Sequence, residues 1–189
     1  MNTMISIILA STSPRRRALL KEAGVLFEAV GPLFEETPTG LSTKEESLFF
    51  AEQKARSVAS LYPNALILAA DTLIDCNGIK MGKPSSEEDA FQMLKTLSGK
   101  THQLYTAVVL LNTKTGEIKK HLEEVRVTFK PLSEKAIADY VASGESMGKA
   151  GAYAIQEGGK HLIKKVEGDI QAVIGLPLGP ILLWLQNPL

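Results

Sequence analysis

The sequence contains little cysteine, no excess of either charge and no long hydrophobic segment. Its one cysteine, Cys76, cannot form an internal disulfide, and no Cys/His group has zinc-site spacing, so a reducing, cytoplasmic location is expected. Lys plus Arg and Asp plus Glu both number 21, which excludes the strong basic excess typical of nucleic-acid or membrane binding. The apolar runs at 4–10 and 181–185 do not fit a signal peptide or a membrane span. Affinity for an anion must therefore come from a local cluster.

Apolar periodicity alternates between strand and helix along the chain. Strands are predicted at residues 5–10, 66–70, 105–111 and 124–129, and helices near residues 14–24, 43–62, 87–97 and 133–142. Asn77-Gly78 predicts a hairpin, and the tail from Leu162 is expected to hold one or two strands and a closing apolar helix. Because no repeat, low-complexity tract or linker interrupts this pattern, we expect a mixed α/β domain with helices packed on a central sheet.

A polar turn, Ser11-Thr12-Ser13-Pro14-Arg15-Arg16, joins the first predicted strand to the first predicted helix. Such a turn points several backbone N–H groups and the positive end of the helix dipole at one spot, which favours an anion. Hydroxyls of Ser11 and Ser13 can add hydrogen bonds, and Arg15 and Arg16 offer planar donors suited to phosphate oxygens. Cations at a helix N-terminus are unfavourable unless a bound anion offsets them. The alternative is a capped helix with solvated arginines.

Three carboxylates are candidates for proton transfer or metal binding. Asp71 is predicted to close the strand at 66–70, where it could hold a metal ion or take a proton from water. Its alternative role is to cap a turn. Glu35 and Glu36 offer the oxygen ligands that magnesium prefers, or remain solvated in a loop.

Two lysines could add positive charge to such a site. Lys83 lies in the Gly82-Lys83-Pro84 loop after the predicted hairpin, and Lys54 flanks the apolar face of the second predicted helix. Either could reach a phosphate. The alternative is that each is an ordinary surface lysine, because long amphipathic side chains commonly border apolar faces.

Two further motif matches are rejected because the neighbouring residues do not fit the motif. The elbow motif of serine hydrolases is matched by Gly144-Glu145-Ser146-Met147-Gly148. However, a predicted helix precedes the serine, and no acid followed by a histidine lies downstream at a usable spacing. An esterase built on Ser146 would need an acid and a histidine downstream of the serine. Gly99-Lys100-Thr101 matches the end of a P-loop, but Leu94 stands where the first glycine should be.

Five motifs, taken together, resemble the Maf family of nucleoside triphosphate pyrophosphatases in order and spacing. They are Ala10-Ser11-Thr12-Ser13-Pro14-Arg15-Arg16, Ala69-Ala70-Asp71-Thr72, Gly82-Lys83-Pro84, Lys149-Ala150-Gly151-Ala152-Tyr153-Ala154-Ile155-Gln156 and Gly175-Leu176-Pro177. The resemblance covers about residues 7–178. It implies an inosine-triphosphate-pyrophosphatase-like fold, an elongated mixed β-sheet flanked by helices. Residues 1–189 are then expected to form a single domain, with a cleft between two lobes that share one sheet.

The resemblance also implies a reaction and its residues. Members hydrolyse a nucleoside triphosphate to the monophosphate and pyrophosphate with a divalent cation, Mg²⁺ or Mn²⁺. Asp71 matches the proton acceptor, and Glu36 with Asp71 matches the metal side, although whether Glu35 or Glu36 faces the metal stays open. Positions around the triphosphate are matched by Ser11, Arg15, Arg16, Lys54 and Lys83, and Ser13 joins them from its place in the turn.

Three residues resemble the branch of this family that is selective for dTTP and UTP. They are Arg15, Thr72 and Gln156, and a glutamine amide can both donate to and accept from a uracil-like edge. Removal of non-standard nucleotides is one expected purpose. The alternative is a nucleotide-binding regulator of cell division or septum formation without significant hydrolysis. The expected partners are the nucleotide and, in one interpretation, a second copy of the chain, with no nucleic acid and no membrane.

Overall fold

A computed structural model describes residues 6–187 of the chain. Within these residues it contains β1 (Ser6–Ala10), α1 (Pro14–Glu22), β2 (Glu28–Val30), α2 (Thr43–Ser57), β3 (Ala65–Cys76), β4 (Ile79–Met81), α3 (Glu87–Leu97), β5 (Thr101–Asn112), β6 (Ile118–Phe129), α4 (Glu134–Ala142), β7 (Ile163–Glu167), α5 (Ile170–Ile174) and α6 (Leu178–Gln186). No helix in this part of the chain is long and apolar enough to cross a membrane.

The strands form one mixed sheet. Their order is β2-β1-β3-β5-β6-β7, and β4 pairs with β3 away from this path. β1 pairs in parallel with β2 and with the start of β3, where Leu9 is in register with Leu68. The β3–β4 and β6–β7 pairs are antiparallel. A mixed sheet with helices between its strands confirms the predicted α/β class.

The chain divides into two compact units, and the long strands β3, β5 and β6 each contribute residues to both. The first unit holds the residues up to Asp71, Thr106–Glu123 and the residues from Gly175 onward. The second unit holds Thr72–Tyr105 and Glu124–Ile174. Each unit has its own cluster of buried apolar side chains, so each is described by itself.

Serine side chains cap the N-termini of α1, α2, α3 and α4. Ser13, Ser86 and Ser133 each accept a hydrogen bond from the backbone N–H three residues on, at 3.4, 3.1 and 3.1 Å, which confirms the helix starts predicted there. Ser42 begins α2 with a reciprocal capping box to Glu45. These caps satisfy N–H groups that have no partner inside the helix.

Several predicted bounds were wrong. The helix predicted over 43–62 ends at Ser57, because Val58 leaves helical geometry and a short 3₁₀ turn follows at Ala59–Leu61. The strand predicted over 66–70 continues through Asp71 to Cys76, and the strands predicted at 105–111 and 124–129 are also longer. Pairing with neighbouring strands carries these segments past the polar residues at which the sequence pattern stops. Residue 5 of the first predicted strand lies outside the described residues.

Small side chains bring α2 close to the sheet in the first unit. Ala10, Ala51, Ala55 and Ala69 are all fully buried (0% exposed) in its apolar cluster, together with residues of β1 and β3. Residues three and four apart share a helix face, so Lys54 lies on the face that carries Ala51. The packing of α2 therefore carries a lysine toward the sheet.

Gly159 in the second unit has no room for a side chain. A Cβ there would lie 1.8 Å from the carbonyl oxygen of Ala154 and 3.0 Å from the hydroxyl of Tyr140. We expect Gly159→Ala to lower the free energy of unfolding by about 3 kcal/mol, since this overlap involves backbone. Gly179→Ala is the matched control because nothing lies within 4 Å of its Cβ, and it should be neutral or stabilising. Urea unfolding of both variants checks this, and equal effects would contradict it.

Candidate active site

The turn between β1 and α1 is built by its two serines. The Oγ of Ser11 accepts from the backbone N–H of Ser13 at 3.1 Å, and the Oγ of Ser13 accepts from the backbone N–H of Arg16. Ser11 is buried, and the first turn of α1 contains no acidic residue. Arg15, Arg16 and Arg17 occupy that turn instead, so positive charge and the helix N-terminus meet at one place, as predicted.

Arg16 is held by main-chain carbonyls. Its Nε donates to the carbonyl of Gly175 and its Nη1 to the carbonyl of Ala70, both at 2.8 Å. The planar guanidinium can make both bonds at once because its donors point in fixed directions. Burial lowers the pKa of Arg16, and the charge of Asp71 opposes that shift. Arg16 thus joins α1 to the residue before Asp71, a contact that the sequence analysis missed because a carbonyl carries no residue-specific signal.

Asp71 lies in the interior of β3, so its predicted place at a strand end was wrong. β1 pairs with β3 as far as Leu9 and Leu68, and β4 pairs with β3 from Ile74 onward. Asp71 lies between these two paired stretches. The carboxylate is therefore beside the end of β1, although its own strand continues.

The ammonium of Lys54 lies between two carboxylates. Its Nζ is 2.5 Å from Oδ1 of Asp71 and 2.6 Å from Oε1 of Glu36. The side chains of Lys54 and Asp71 are 6% and 5% exposed, whereas that of Glu36 is 31% exposed. Of the two glutamates left open by the sequence, Glu36 is the one that faces this site.

Burial has the largest effect on the pKa of Asp71. It raises the pKa of the carboxyl above its ordinary value, and the charge of Lys54 partly opposes this effect. The negative charge of Glu36 raises the pKa further, and that of Arg16 lowers it. The Oδ2 atom of Asp71 is buried and accepts no hydrogen bond within residues 6–187. Asp71 therefore presents one oxygen that is ready to accept a proton or a cation.

The loop that carries Glu36 is fastened to α2. Near its start, the backbone N–H of Leu33 donates to Ser57 at 3.0 Å. Toward its end, Oε1 of the buried Glu46 accepts from the backbone N–H and the hydroxyl of Thr39, at 2.9 and 2.8 Å. Because Lys54 is on the same helix, α2 holds both Glu36 and the ammonium that Glu36 contacts.

The residues at this site fit a divalent cation. Glu36 and Asp71 supply carboxylate oxygens, and the buried Oδ2 of Asp71 has no donor from the described chain. Magnesium is commonly held by one or two carboxylates together with substrate phosphates and water. Among residues 6–187 no group of three or more His, Cys, Asp or Glu side chains could hold a metal by itself. A cation here would need oxygens from a bound ligand.

The remaining predicted residues lie in the second unit. Thr72 follows Asp71 on β3 and is half-buried, Lys83 is exposed in the bend after β4, and Gln156 is exposed after the 3₁₀ turn at Ala150–Ala152. The N–H of Gly151 donates to the carbonyl of Gly82 at 2.9 Å, so the segments that carry Gln156 and Lys83 are directly bonded.

Ser146 cannot serve as a nucleophile in this structure. It is fully buried (0% exposed), and it follows the C-terminal end of α4. A serine in an elbow motif must instead be exposed between a strand and a helix. The structure therefore agrees with rejecting an esterase.

The fold and the site define an α/β protein in which a cationic turn caps α1 beside a buried aspartate. This arrangement suits a phosphate-bearing ligand. The family model described as "Maf-like protein" matches residues 6–187. The chain belongs to this Maf-like family, which confirms the resemblance seen in the sequence.

Relatives similar over nearly their whole length carry one name. The chain is 44% identical to a "dTTP/UTP pyrophosphatase" of Pelotomaculum thermopropionicum, over 97% of both chains. It is 44% identical to another of the same name from Latilactobacillus sakei, over 95% of this chain and 99% of the relative. Among solved structures it is similar to a nucleoside-triphosphatase / dITP/XTP pyrophosphatase from Mycobacterium abscessus, with a TM-score of 0.47, 15% identity and 96% and 95% coverage. The family is shown by the family model and by the sequence relatives.

Replacing Arg16 by lysine should destabilise the first unit. A single ammonium cannot reproduce the two separate donors that reach Ala70 and Gly175, so a buried carbonyl loses its partner. We expect Arg16→Lys to lower the free energy of unfolding by about 1–3 kcal/mol. Arg17→Lys is the matched control, because Arg17 is exposed, and it should change stability by less than about 0.5 kcal/mol. Urea titration measures both, and an Arg16→Lys protein as stable as the parent would contradict the role.

Proposed function

We propose that this protein is a nucleoside triphosphate pyrophosphatase that hydrolyses dTTP and UTP to the monophosphate and pyrophosphate. One observation carries the proposal: a buried aspartate paired with Lys54 lies in a Maf-like chain next to the Ser11 to Arg16 turn. The names of the full-length relatives support the same reaction. The carboxylate supplies a base, and the turn supplies a site for phosphate.

The cationic turn binds the triphosphate in this proposal. The positive end of the α1 dipole attracts the phosphate oxygens, the hydroxyls of Ser11 and Ser13 donate to them, and Arg15 adds a planar charged donor. Lys83 is proposed as a further positive charge for the phosphates. Arg16 acts mainly through position, since its Nε and Nη1 donate to carbonyls of the chain.

Asp71 is the proton acceptor in this proposal. A water molecule attacks the α-phosphorus, its oxygen forms the new bond, and the bond to the β-phosphate breaks to release pyrophosphate. The proton of the water passes to the carboxylate of Asp71, whose Oδ1 already accepts from Lys54. Burial raises the pKa of this carboxyl, which makes it a better base than a solvated aspartate.

Glu36 and Asp71 would hold the divalent cation, Mg²⁺ or Mn²⁺. When bound, the cation neutralises charge on the phosphate oxygens. Lys54 donates to both carboxylates, so it keeps them oriented and offsets their mutual repulsion. This position makes Lys54 a partner of the carboxylates as well as a candidate for contact with phosphate.

Selection of a pyrimidine base is assigned to Arg15, Thr72 and Gln156. A glutamine amide can donate to one atom and accept from another on a uracil-like edge. We place the reaction in the cytoplasm, because a chain with one cysteine and hence no internal disulfide suits a reducing compartment. Assembly with a second copy of the chain stays a prediction.

Asp71→Asn is the direct test of the reaction. The amide keeps the shape of the side chain but cannot accept the proton, so pyrophosphate release from dTTP with Mg²⁺ should fall at least about 100-fold. Asp75→Asn, on the same strand, is the matched control, because an amide oxygen can still accept from Gly78. Its turnover should stay close to that of the parent.

Three outcomes would count against the proposal. Turnover of Asp71→Asn within a few-fold of the parent would remove Asp71 as the base. Release of orthophosphate instead of pyrophosphate would show cleavage at another phosphate. Tight binding of dTTP by the parent without any release would favour the nucleotide-binding regulator.

Removing the charge of Lys54 should shift the pH dependence upward. The ammonium favours the ionised form of Asp71, so its loss raises the pKa of the carboxyl, and a base works only above its pKa. We expect the midpoint of the rise of kcat/KM with pH to move up by about 1 unit or more in Lys54→Gln. Lys54→Arg retains the charge and should keep the midpoint near that of the parent. A midpoint that stays or falls in Lys54→Gln would contradict the pairing.

A further inference from the structure

The segment that carries Gln156 has a strained backbone at both ends. Ala152 has φ +63° and Glu157 has φ +54°, both in the left-handed region that residues with a Cβ rarely adopt. Between them, Tyr153 and Gln156 are extended. A stretch with this geometry persists only where neighbouring contacts hold it.

Contacts from β5, α4 and the turn after α4 hold this stretch inside the second unit. The hydroxyl of Tyr153 lies 2.8 Å from Nε2 of His102 on β5. The N–H of Ala154 donates to the hydroxyl of Tyr140 on α4 at 3.2 Å. The N–H of Gly158 donates to the carboxylate of Glu145 at 3.0 Å. Of these anchors, the one to His102 reaches Tyr153, a buried side chain at the start of the extended stretch.

His102 ties Tyr153 to the sheet. It is fully buried (0% exposed), and its ring meets those of Phe129 on β6 and Tyr153 edge to face, with centroids 5.2 and 5.5 Å apart. Phe129 and Tyr153 are themselves 4.8 Å apart. Burial lowers the pKa of His102 to about 4, so a neutral imidazole meets the hydroxyl at neutral pH. Tyr153 is therefore fixed by two rings and one hydrogen bond.

We propose that His102 is a positioning residue for base selection: through its bond to Tyr153 it fixes the extended stretch and thereby the place where Gln156 presents its amide. Tyr153 is buried and Gln156 is exposed three residues later, so one end of the stretch is anchored and the other is available to a ligand. His102 itself is buried and touches no substrate. This inference rests on the proposed contact of Gln156 with the pyrimidine base.

The test compares base selectivity, measured as kcat/KM for dTTP divided by kcat/KM for GTP with Mg²⁺. His102→Phe retains an aromatic ring and loses the hydrogen bond, and it should lower this ratio by about tenfold through misplacement of the amide. Tyr153→Phe removes the same bond from the other side with little change in packing, and it should lower the ratio similarly. His102→Gln offers an amide to the tyrosine hydroxyl and should restore most of the ratio.

A double-mutant cycle shows whether His102 acts through Gln156. Gln156→Ala should lower the ratio, and adding His102→Phe to that variant should change it by less than about twofold, because coupled sites are not additive. Val127→Ala, a fully buried change on β6, is the control for general loosening of the same core and should leave the ratio unchanged. Hydrogen exchange of the amides of residues 153–158 should speed up in His102→Phe, with those of α3 unaffected.

The outcomes separate this inference from the proposed function. A lower ratio in Gln156→Ala with parental ratios in His102→Phe and Tyr153→Phe would overturn the role of His102 and leave base contact by Gln156 standing. An unchanged ratio in Gln156→Ala would overturn that contact, and the positioning role with it. An equal loss of ratio in Val127→Ala would show that His102 serves only as core packing. If His102→Phe does not fold, Tyr153→Phe decides among these outcomes.

Discussion

The ammonium of Lys54, buried between Glu36 and Asp71, constrains most of the first unit. An ion removed from water costs several kcal/mol unless partners of opposite charge surround it. Two carboxylates at 2.5 and 2.6 Å supply those partners, and the approach of α2 to the sheet through alanines makes the distances attainable. Loss of Lys54 would leave Asp71 and Glu36 without the ammonium that compensates their charges, so the helix, the strand and the Glu36 loop depend on this one side chain.

A second constraint arises where β1 ends beside β3, and the side chain of Arg16 satisfies it. Once β1 stops at Ala10, a carbonyl of β3 on that edge needs another donor, and the Arg16 guanidinium donates to Ala70. The same side chain binds Gly175, so three distant segments meet at one planar group. This arrangement leaves Asp71 inside a continuous strand with one carboxylate oxygen unoccupied by hydrogen bonds from the described chain. The carbonyl of Ala70 that Arg16 stabilises and the carboxylate proposed to react are thus on adjacent residues of β3.

The second unit positions its residues by another means. There the chain around Gln156 belongs to no regular strand or α-helix, and its shape depends on side chains that accept from its amides or pack against its tyrosine. Two of these three contacts involve neutral side chains, His102 and Tyr140, since burial keeps His102 unprotonated near neutral pH. The first unit relies on compensated charge, and the second on buried aromatic rings and hydrogen bonds that hold a strained backbone.

Local signals in the sequence determined the helix starts, the α/β alternation, the turn at Ser11 to Arg16 and the family. Serine caps, proline and apolar periodicity act over a few residues, so a linear pattern contains them. Only the tertiary structure decided that Glu36 rather than Glu35 meets Lys54, that Asp71 lies within a strand, and that Arg16 binds two carbonyls. The bond to Gly175 joins positions 159 residues apart, and every residue type carries the same carbonyl. No sequence pattern distinguishes such an acceptor, because its partner is chosen by packing.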